Sequence, residues 1–417
     1  MADLSIGSPF QEVDEDLLEA TEVTARIADL SIIRLRARPS DILVGPGTLT
    51  KVTTSVGCSH PSAADTERRK VDRIAALGYA PDMMMDLSIV RSQQPLYRHI
   101  IADVGIPVGT LPHYVVMAPR GGHSIGALLD EIANHIDAGV SWITLHLAVT
   151  REIYEISCRD RSTPMTSRGG GLIIDEMMRN GHDEGILLRH LPEVLDVFRG
   201  REAVLSLGTA FRPATTRDAL DEAHRRELAL QAEIARAGHE AGVPVMLEPL
   251  GHMTLGKVAE FTSLVRDRLG FHGPVMTLGP IVTDAAVGED HIANAIGAAA
   301  LAWAGGADVV NSITREEHTG RVPSEESIME GLRGARIAAH AVNIARFPSI
   351  DGADAEVNEH RARNYTCVVE GGLFQRSART RFAMGCTRCA DECPLLVNRR
   401  HGVRPVGPGP DNDDHEH

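Results

Sequence analysis

Between Lys51 and Ile344 the chain alternates short β-rich runs with amphipathic helical stretches, and few architectures accept that alternation. The runs are Lys51–Gly57, Met83–Ser88, Ile106–Leu111, Trp142–Leu147, Pro164–Ser167, Ala203–Gly208, Pro244–Glu248, Pro274–Leu278 and Asp308–Ser312. Helical stretches lie between them at Ala64–Leu77, Ile125–Ala138, Thr216–Ala241, Leu255–Leu269, Ile292–Ala304 and Ser324–Ile344. A strand that reaches its neighbour through a helix runs parallel to it, so the pattern predicts an α/β fold with helices outside a parallel sheet. Eight or nine such units in roughly 270 residues predict a (β/α)8 TIM-type barrel rather than an open sheet. No GxGxxG follows the first run, which leaves a nucleotide-binding open sheet without support.

The flanks read differently. Residues 1–48 form an acidic N-terminal lead-in with a helix expected near Glu15–Arg26, and the barrel is expected over 49–345. After Ile344 the rhythm stops. A cysteine-bearing segment follows over 346–400, and 401–417, ending GPGPDNDDHEH, has the composition of a disordered tail. The formal charge of −15 argues against a nucleic-acid partner, which would need a basic face. No apolar run is long enough for a membrane span, so no membrane partner is expected. The first residues lack a signal-peptide pattern, and clustered cysteines without one point to a reducing, cytoplasmic location.

Three of the six cysteines, Cys386, Cys389 and Cys393, fall within eight residues as C-x2-C-x3-C. Thiols this close cannot all pair with one another as disulfides, and their convergence suits a metal or a cluster. A 4Fe–4S cluster normally takes four cysteines; three would leave one iron open to a substrate or cofactor. On spacing alone two other readings stay open: a structural zinc knot with a histidine or Cys367 as fourth ligand, and three plain reduced thiols.

In a barrel of this kind functional side chains gather at the C-terminal ends of the strands. Here those ends carry Met85 and Asp86, His113 and Tyr114, His146, the stretch Ser167–Gly171, Thr209 and Arg212, Glu248 and His252, and finally Glu316, Glu317 and His318. Each alone has a bland reading: a hydrogen-bonded structural histidine, a core methionine, a plain SRGGG turn, an Arg212–Glu248 ion pair. Their number on one rim favours a site. Ser167, Arg168 and the amides around Gly169 suit an anion. His252 and His318 both follow strands and can lean over one mouth, where two imidazoles would hold zinc or ferrous iron with positions left open. His291, in EDHIAN, competes but begins a helix.

These segments together resemble one family. MMMDLS, VGTLPHY, SLGTAFRP, EPLGH and the long run TLGPIVTDAAVGEDHIANAIGAAALAWAGGADVVNSITREEH, followed by GARIAAHAVNIA, are similar to the phosphomethylpyrimidine synthases (ThiC), radical S-adenosylmethionine enzymes of thiamine biosynthesis. The resemblance implies that Cys386, Cys389 and Cys393 ligate a 4Fe–4S cluster that binds S-adenosyl-L-methionine at its open iron. Reduction by a flavodoxin- or ferredoxin-type donor would then yield a 5′-deoxyadenosyl radical. It implies His252 and His318 as ligands of a mononuclear zinc or iron. It implies Ser55, Met85, Tyr114, His146, Ser167, Arg168, Gly169, Thr209, Arg212, Glu248 and Met276 as positions that bind an anionic small-molecule substrate. It also implies a homodimer in which one subunit's cysteine segment serves the other's barrel.

The sequence departs from the family at definite points. The spacing is C-x2-C-x3-C where the family has C-x2-C-x4-C. VTTSVGCS replaces VNANIGNS, so Thr53 and Ser55 stand for asparagines; Thr209 stands for an aspartate and Met276 for a tyrosine. The expectation is a radical lyase that rearranges or cleaves an aminoimidazole ribonucleotide-like compound. 5-Hydroxybenzimidazole synthase or a specialised paralogue is the neighbouring alternative, and a non-radical zinc-dependent barrel lyase is the rival from another class. The departures predict that the substrate is not held as the thiamine enzyme holds its ribonucleotide.

Overall fold

The computed structural model describes residues 17–117, 124–365, 367, 369, 389 and 392–403. Two short strands, β1 (Ile33–Leu35) and β2 (Ile42–Val44), form an antiparallel ribbon in the lead-in, behind a helix at Ala20–Ala28. Eight parallel strands then make the barrel: β3 (Lys51–Val56), β4 (Met83–Asp86), β5 (Val108–Thr110), β6 (Trp142–Leu145), β7 (Val204–Gly208), β8 (Val245–Glu248), β9 (Met276–Thr277) and β10 (Val309–Ser312). Each pairs with its sequence neighbour, β10 pairs with β3, and a bridge between Leu247 and Val275 joins β8 to β9 and closes the ring. The fold is the expected (β/α)8 barrel.

Eight of the nine predicted runs are these strands. The ninth, Pro164–Ser167, is not a strand. Pro164 has no N–H to give a ladder, and Ser167 caps a helix, Arg168–Asn180, by accepting from the Gly170 N–H at 3.1 Å. SRGGG is therefore a capped first helical turn. The long excursion between β6 and β7 is helical, with segments at Arg151–Asp160, Arg168–Asn180 and Leu191–Phe198 that the sequence pattern does not single out.

Side-chain alternation sets the character of the barrel interior. Near the N-terminal ends of the strands it is apolar: Met83, Trp142, Val204, Met246, Met276 and Val309 form one buried cluster. Trp142 lies over Gly109, where any Cβ would overlap the indole. Two residues further along β6, β7, β8 and β10 the same face turns polar, with Thr144, Ser206, Glu248 and Asn311, while β4 keeps an apolar residue there, Met85. The core thus floors a cavity at the C-terminal mouth where polar side chains stand among apolar ones.

The chain divides into two compact units at Ile344. Beyond the barrel, the described residues include helices Gly352–Asn364 and Pro394–Arg400. The segment that holds Cys386 and most of the residues after His401 lie outside the described residues. Among the described residues no helix is long and apolar enough to cross a membrane.

Candidate active site

A cavity of about 340 Å³ opens at the barrel mouth. Ser55 and Met85 line it from β3 and β4, Tyr114 from the turn after β5, and His146, Ser167 and Arg168 from the segment after β6. Thr209 and Arg212 follow β7, and Glu248 ends β8. Nine of the eleven predicted substrate positions therefore meet in one place. The other two do not line it: Met276 is in the apolar cluster beneath, and Gly169 lies behind His146.

Buried hydrogen bonds fix the geometry. His146 is held on both ring nitrogens, by Ser167 Oγ at 2.8 Å and by His113 Nε2 at 3.2 Å. Burial, reinforced by His113 and Arg212, pushes His146 well below the ordinary histidine range. Burial and Arg168 push His113 down to about 3, so both rings are neutral. A Cβ on Gly169 would stand 2.6 Å from His113 Nε2 and closer to the His146 ring, so only glycine fits. Arg168 lies over the Tyr114 ring, 5.4 Å from its centre.

Glu248 forms the floor. Its Oε1 accepts from Thr144 Oγ1 and, at 2.6 Å, from Ser206 Oγ. Burial raises its pKa against these bonds and against Arg212. Thr209, expected to face the substrate, spends its hydroxyl internally: it donates to the Glu248 carbonyl at 2.6 Å and accepts from Gln231 Nε2 at 2.9 Å. The loop that carries Arg212 is anchored from below. Glu227, fully buried, accepts from the amides of Ala210 (2.6 Å) and Phe211 (2.8 Å). Burial lifts its pKa to about 8.

His252 and His318 come together as expected. Their Nε2 atoms are 3.1 Å apart. Each Nδ1 meets a carboxylate, Asp284 at 2.7 Å for His252 and Asp290 at 2.8 Å for His318. Two imidazoles sharing a tetrahedral metal at 2.0–2.1 Å hold their nitrogens roughly 3.3 Å apart, and carboxylates on the far nitrogens are what such ligands require. The residues fit a mononuclear metal, although among the described residues no third His, Cys, Asp or Glu converges on the pair. His291, the competitor, sits in the helix Asp290–Trp303, 3.8 Å from Glu289. Asp284 and Asp290 escaped the sequence reading, which looked for ligands and not for their supports. Thr144, Ser206 and Glu227 escaped it as well, while His113, picked out at the end of its strand, proves to support His146; polar residues on inward-facing strand positions were the available signal for Thr144 and Ser206.

Cys389 and Cys393 are both free thiols, Cys389 exposed and Cys393 buried at the start of helix Pro394–Arg400. Cys386, the third member, lies outside the described residues.

Fold and site together define a barrel enzyme with an anion-compatible cavity and a two-histidine pair at its mouth. The chain belongs to the Radical SAM ThiC family, whose profile matches residues 7–400. It is 35% identical over 406 residues to the phosphomethylpyrimidine synthase of Ignicoccus hospitalis, covering 92% of this chain and 91% of that one. It is 33% identical over 398 residues to the 5-hydroxybenzimidazole synthase of Moorella thermoacetica, covering 90% of each. Dihydropteroate synthase from Thermus thermophilus aligns with a TM-score of 0.41 and 12% identity over 72% of this chain and 97% of that one, too low to bear on the fold. Membership makes the chain a radical S-adenosylmethionine enzyme, and implies a 4Fe–4S cluster, S-adenosyl-L-methionine, a small-molecule substrate and a reductant.

Proposed function

We propose that this enzyme rearranges or cleaves an aminoimidazole ribonucleotide or a close analogue, as a lyase of the phosphomethylpyrimidine synthase type. The observation that carries the reading is the convergence of Met85, Tyr114, His146, Ser167, Arg168, Arg212 and Glu248 on one cavity. Arg168 and Arg212, with the capped helix start at Ser167, supply positive charge and N–H groups for a phosphate. Glu248, held by Thr144 and Ser206, accepts from substrate hydroxyls across the floor. His146, neutral and fixed on both nitrogens, shapes the wall and neither takes up nor gives a proton near neutral pH.

Cys386, Cys389 and Cys393 would hold the 4Fe–4S cluster; unpaired thiols at Cys389 and Cys393 suit that role. With S-adenosyl-L-methionine bound, the cluster supplies a 5′-deoxyadenosyl radical for hydrogen abstraction. His252 and His318 would hold a zinc or iron, oriented by Asp284 and Asp290. Clustered thiols of this kind stay reduced in the cytoplasm, with a flavodoxin- or ferredoxin-type protein as electron donor. We further infer a homodimer. Ile292, Ile296 and Trp303 form one exposed apolar stripe on helix Asp290–Trp303, with Ile337 exposed on the helix that touches it near Gly334.

Similar identity to the 5-hydroxybenzimidazole synthase gives a second reading in which the product is a benzimidazole. Anaerobic incubation of the reconstituted enzyme with 5-aminoimidazole ribonucleotide, S-adenosylmethionine and reductant separates the two. Hydroxymethylpyrimidine phosphate supports the first and 5-hydroxybenzimidazole the second. Consumption of neither the ribonucleotide nor S-adenosylmethionine, in a preparation with full iron and sulfide content, sinks both.

A further inference from the structure

Arg168 and Arg212 both line the cavity, and neither guanidinium makes a hydrogen bond or ion pair with a described residue. Arg168 rests on the Tyr114 ring, and that contact leaves its N–H groups free. Where the two charges stand relative to each other is therefore set by the backbone that carries them. Arg168 opens a helix after the run 161–167, and Arg212 sits on the loop after β7.

One side chain ties these two stretches together. Arg161 ends the helix Arg151–Asp160 and begins the run that leads to Ser167 and Arg168. Its side chain is wholly buried, so it meets no ligand itself. Nε and Nη2 each donate to Asp221 at 2.7 Å. Asp221 in turn caps the helix Glu222–Glu240 by accepting from the His224 N–H at 2.9 Å. Burial raises the Asp221 pKa, but Arg161 and the His224 amide bring it below the ordinary carboxylate value, so the pair is charged at neutral pH. The last nitrogen, Nη1, donates to the Phe211 carbonyl at 2.8 Å and lies 3.4 Å from the carbonyls of Arg212 and Pro164. A planar guanidinium whose fork is fixed by one carboxylate aims its remaining nitrogen in one direction.

The Arg212 loop is thus gripped on both edges. Glu227 takes the amides of Ala210 and Phe211, and Arg161 takes the Phe211 carbonyl. Thr209 is held separately, by the Glu248 carbonyl and Gln231. Loosening Arg161 therefore frees Phe211 and Arg212 while the floor at Glu248 stays in place.

We propose that Arg161 is a positioning residue: it fixes where the Arg212 charge stands relative to Arg168, and so governs binding of the substrate's anionic group without touching it. The inference rests on the reading above, in which that group is the phosphate of a ribonucleotide.

The test is equilibrium binding to the full-length protein without reductant. Calorimetry would compare 5-aminoimidazole ribonucleotide with 5-aminoimidazole riboside, which lacks the phosphate. Arg161→Lys keeps the charge but gathers its donors on one atom, which cannot serve both Asp221 oxygens and the Phe211 carbonyl from the same place. A change in binding then reports position and not net charge. Arg161→Lys is expected to weaken the ribonucleotide about 10- to 150-fold, the worth of one charge-assisted hydrogen bond, and to leave the riboside unchanged. In an Arg212→Ala background the same substitution should cost nothing further, because the charge it positions is gone. Retained riboside binding also shows that the lysine variant is folded. If that variant lacks a cooperative thermal melt, the same comparison is made with Asp221→Asn, which keeps the helix cap and loses the charge that fixes the fork. Equal weakening of both ligands, no weakening of either, or an undiminished loss in the Arg212→Ala background overturns the proposal. Wild-type protein that binds the ribonucleotide no better than the riboside, or binds neither, overturns the ribonucleotide reading and this inference with it. Wild-type preference for the ribonucleotide with an indifferent Arg161 variant overturns this inference alone.

Discussion

Replacing Gly169 by alanine tests the claim that two buried imidazoles are locked around one glycine. The added methyl would lie 2.6 Å from His113 Nε2 and closer still to the His146 ring. Neither ring can swing to solvent, because His113 is wholly buried and His146 is 4% exposed. Something must shift, and overpacking of this kind costs about 1–3 kcal/mol. The shift also breaks at least one of the bonds that hold His146, to Ser167 or to His113, for about 1 kcal/mol more. The sum is about 2–4 kcal/mol, and at about 2 °C per kcal/mol the melting temperature should fall by about 4–8 °C. Gly256 is the control: a Cβ there meets nothing within 4 Å, so Gly256→Ala should stay within about 0.5 kcal/mol of wild type. Thermal melts of both variants, alone and in a His146→Ala background, make the measurement. Removing the imidazole should relieve most of the cost of the methyl, a coupling that a double-mutant cycle reads directly. A Gly169→Ala protein that melts with wild type, or costs that simply add in the double variant, would refute the reasoning.

For the histidine pair, Asp284→Asn or Asp290→Asn should lower metal affinity by about 10–100-fold, and His252→Ala or His318→Ala by more; full metal retention after dialysis against a chelator, read by mass spectrometry, rejects the assignment. Glu248 carries a raised pKa because it is buried, so it ionises at a higher pH than an ordinary carboxyl. Ligand affinity should therefore climb with pH through that raised value, while the stability this shift contributes is complete below the ordinary carboxyl pKa and is lost over the same rise. Glu248→Gln should flatten the affinity limb; an unaltered pH profile in that variant counts against the role. The apolar stripe predicts that Trp303→Glu converts a dimer to a monomer in light scattering, and a wild-type monomer would dispose of the interface.

Much of the fold was legible because strand and helix periods differ, and eight helix-linked runs leave few topologies. The error at Pro164–Ser167 has a local cause. Four residues are too few to show a period, and the Ser167 cap that makes them a helix start depends on Gly170, a residue that reads as a loop. The site was legible where a side chain ends a strand, as for His146 and Glu248. It was not legible where function rests on partners distant in sequence. Asp284 is 32 residues from His252 and Asp290 is 28 from His318, and nothing in the spacing links them.

The departures from the family pattern gain meaning from where the barrel puts them. Met276 belongs to the apolar cluster under the cavity, and Thr209 turns its hydroxyl to Glu248 and Gln231. These two substitutions change the floor and the support of the site more than the surface a ligand touches. Thr53 and Ser55 are different. They lie on β3, Thr53 is the register partner of Asn311, and its hydroxyl is buried without a partner among the described residues. Ser55 lines the cavity beside them. Ser167, Arg168 and Arg212 match the residues that the resemblance implies there, while Ser55 is the departure on β3, next to β10, that lines the cavity. A barrel allows this separation because each wall comes from different strands and can be altered without repacking the other. On the proposed reading, divergence in ligand binding is therefore expected along β3, with Arg168 and Arg212 still placed to meet an anionic group.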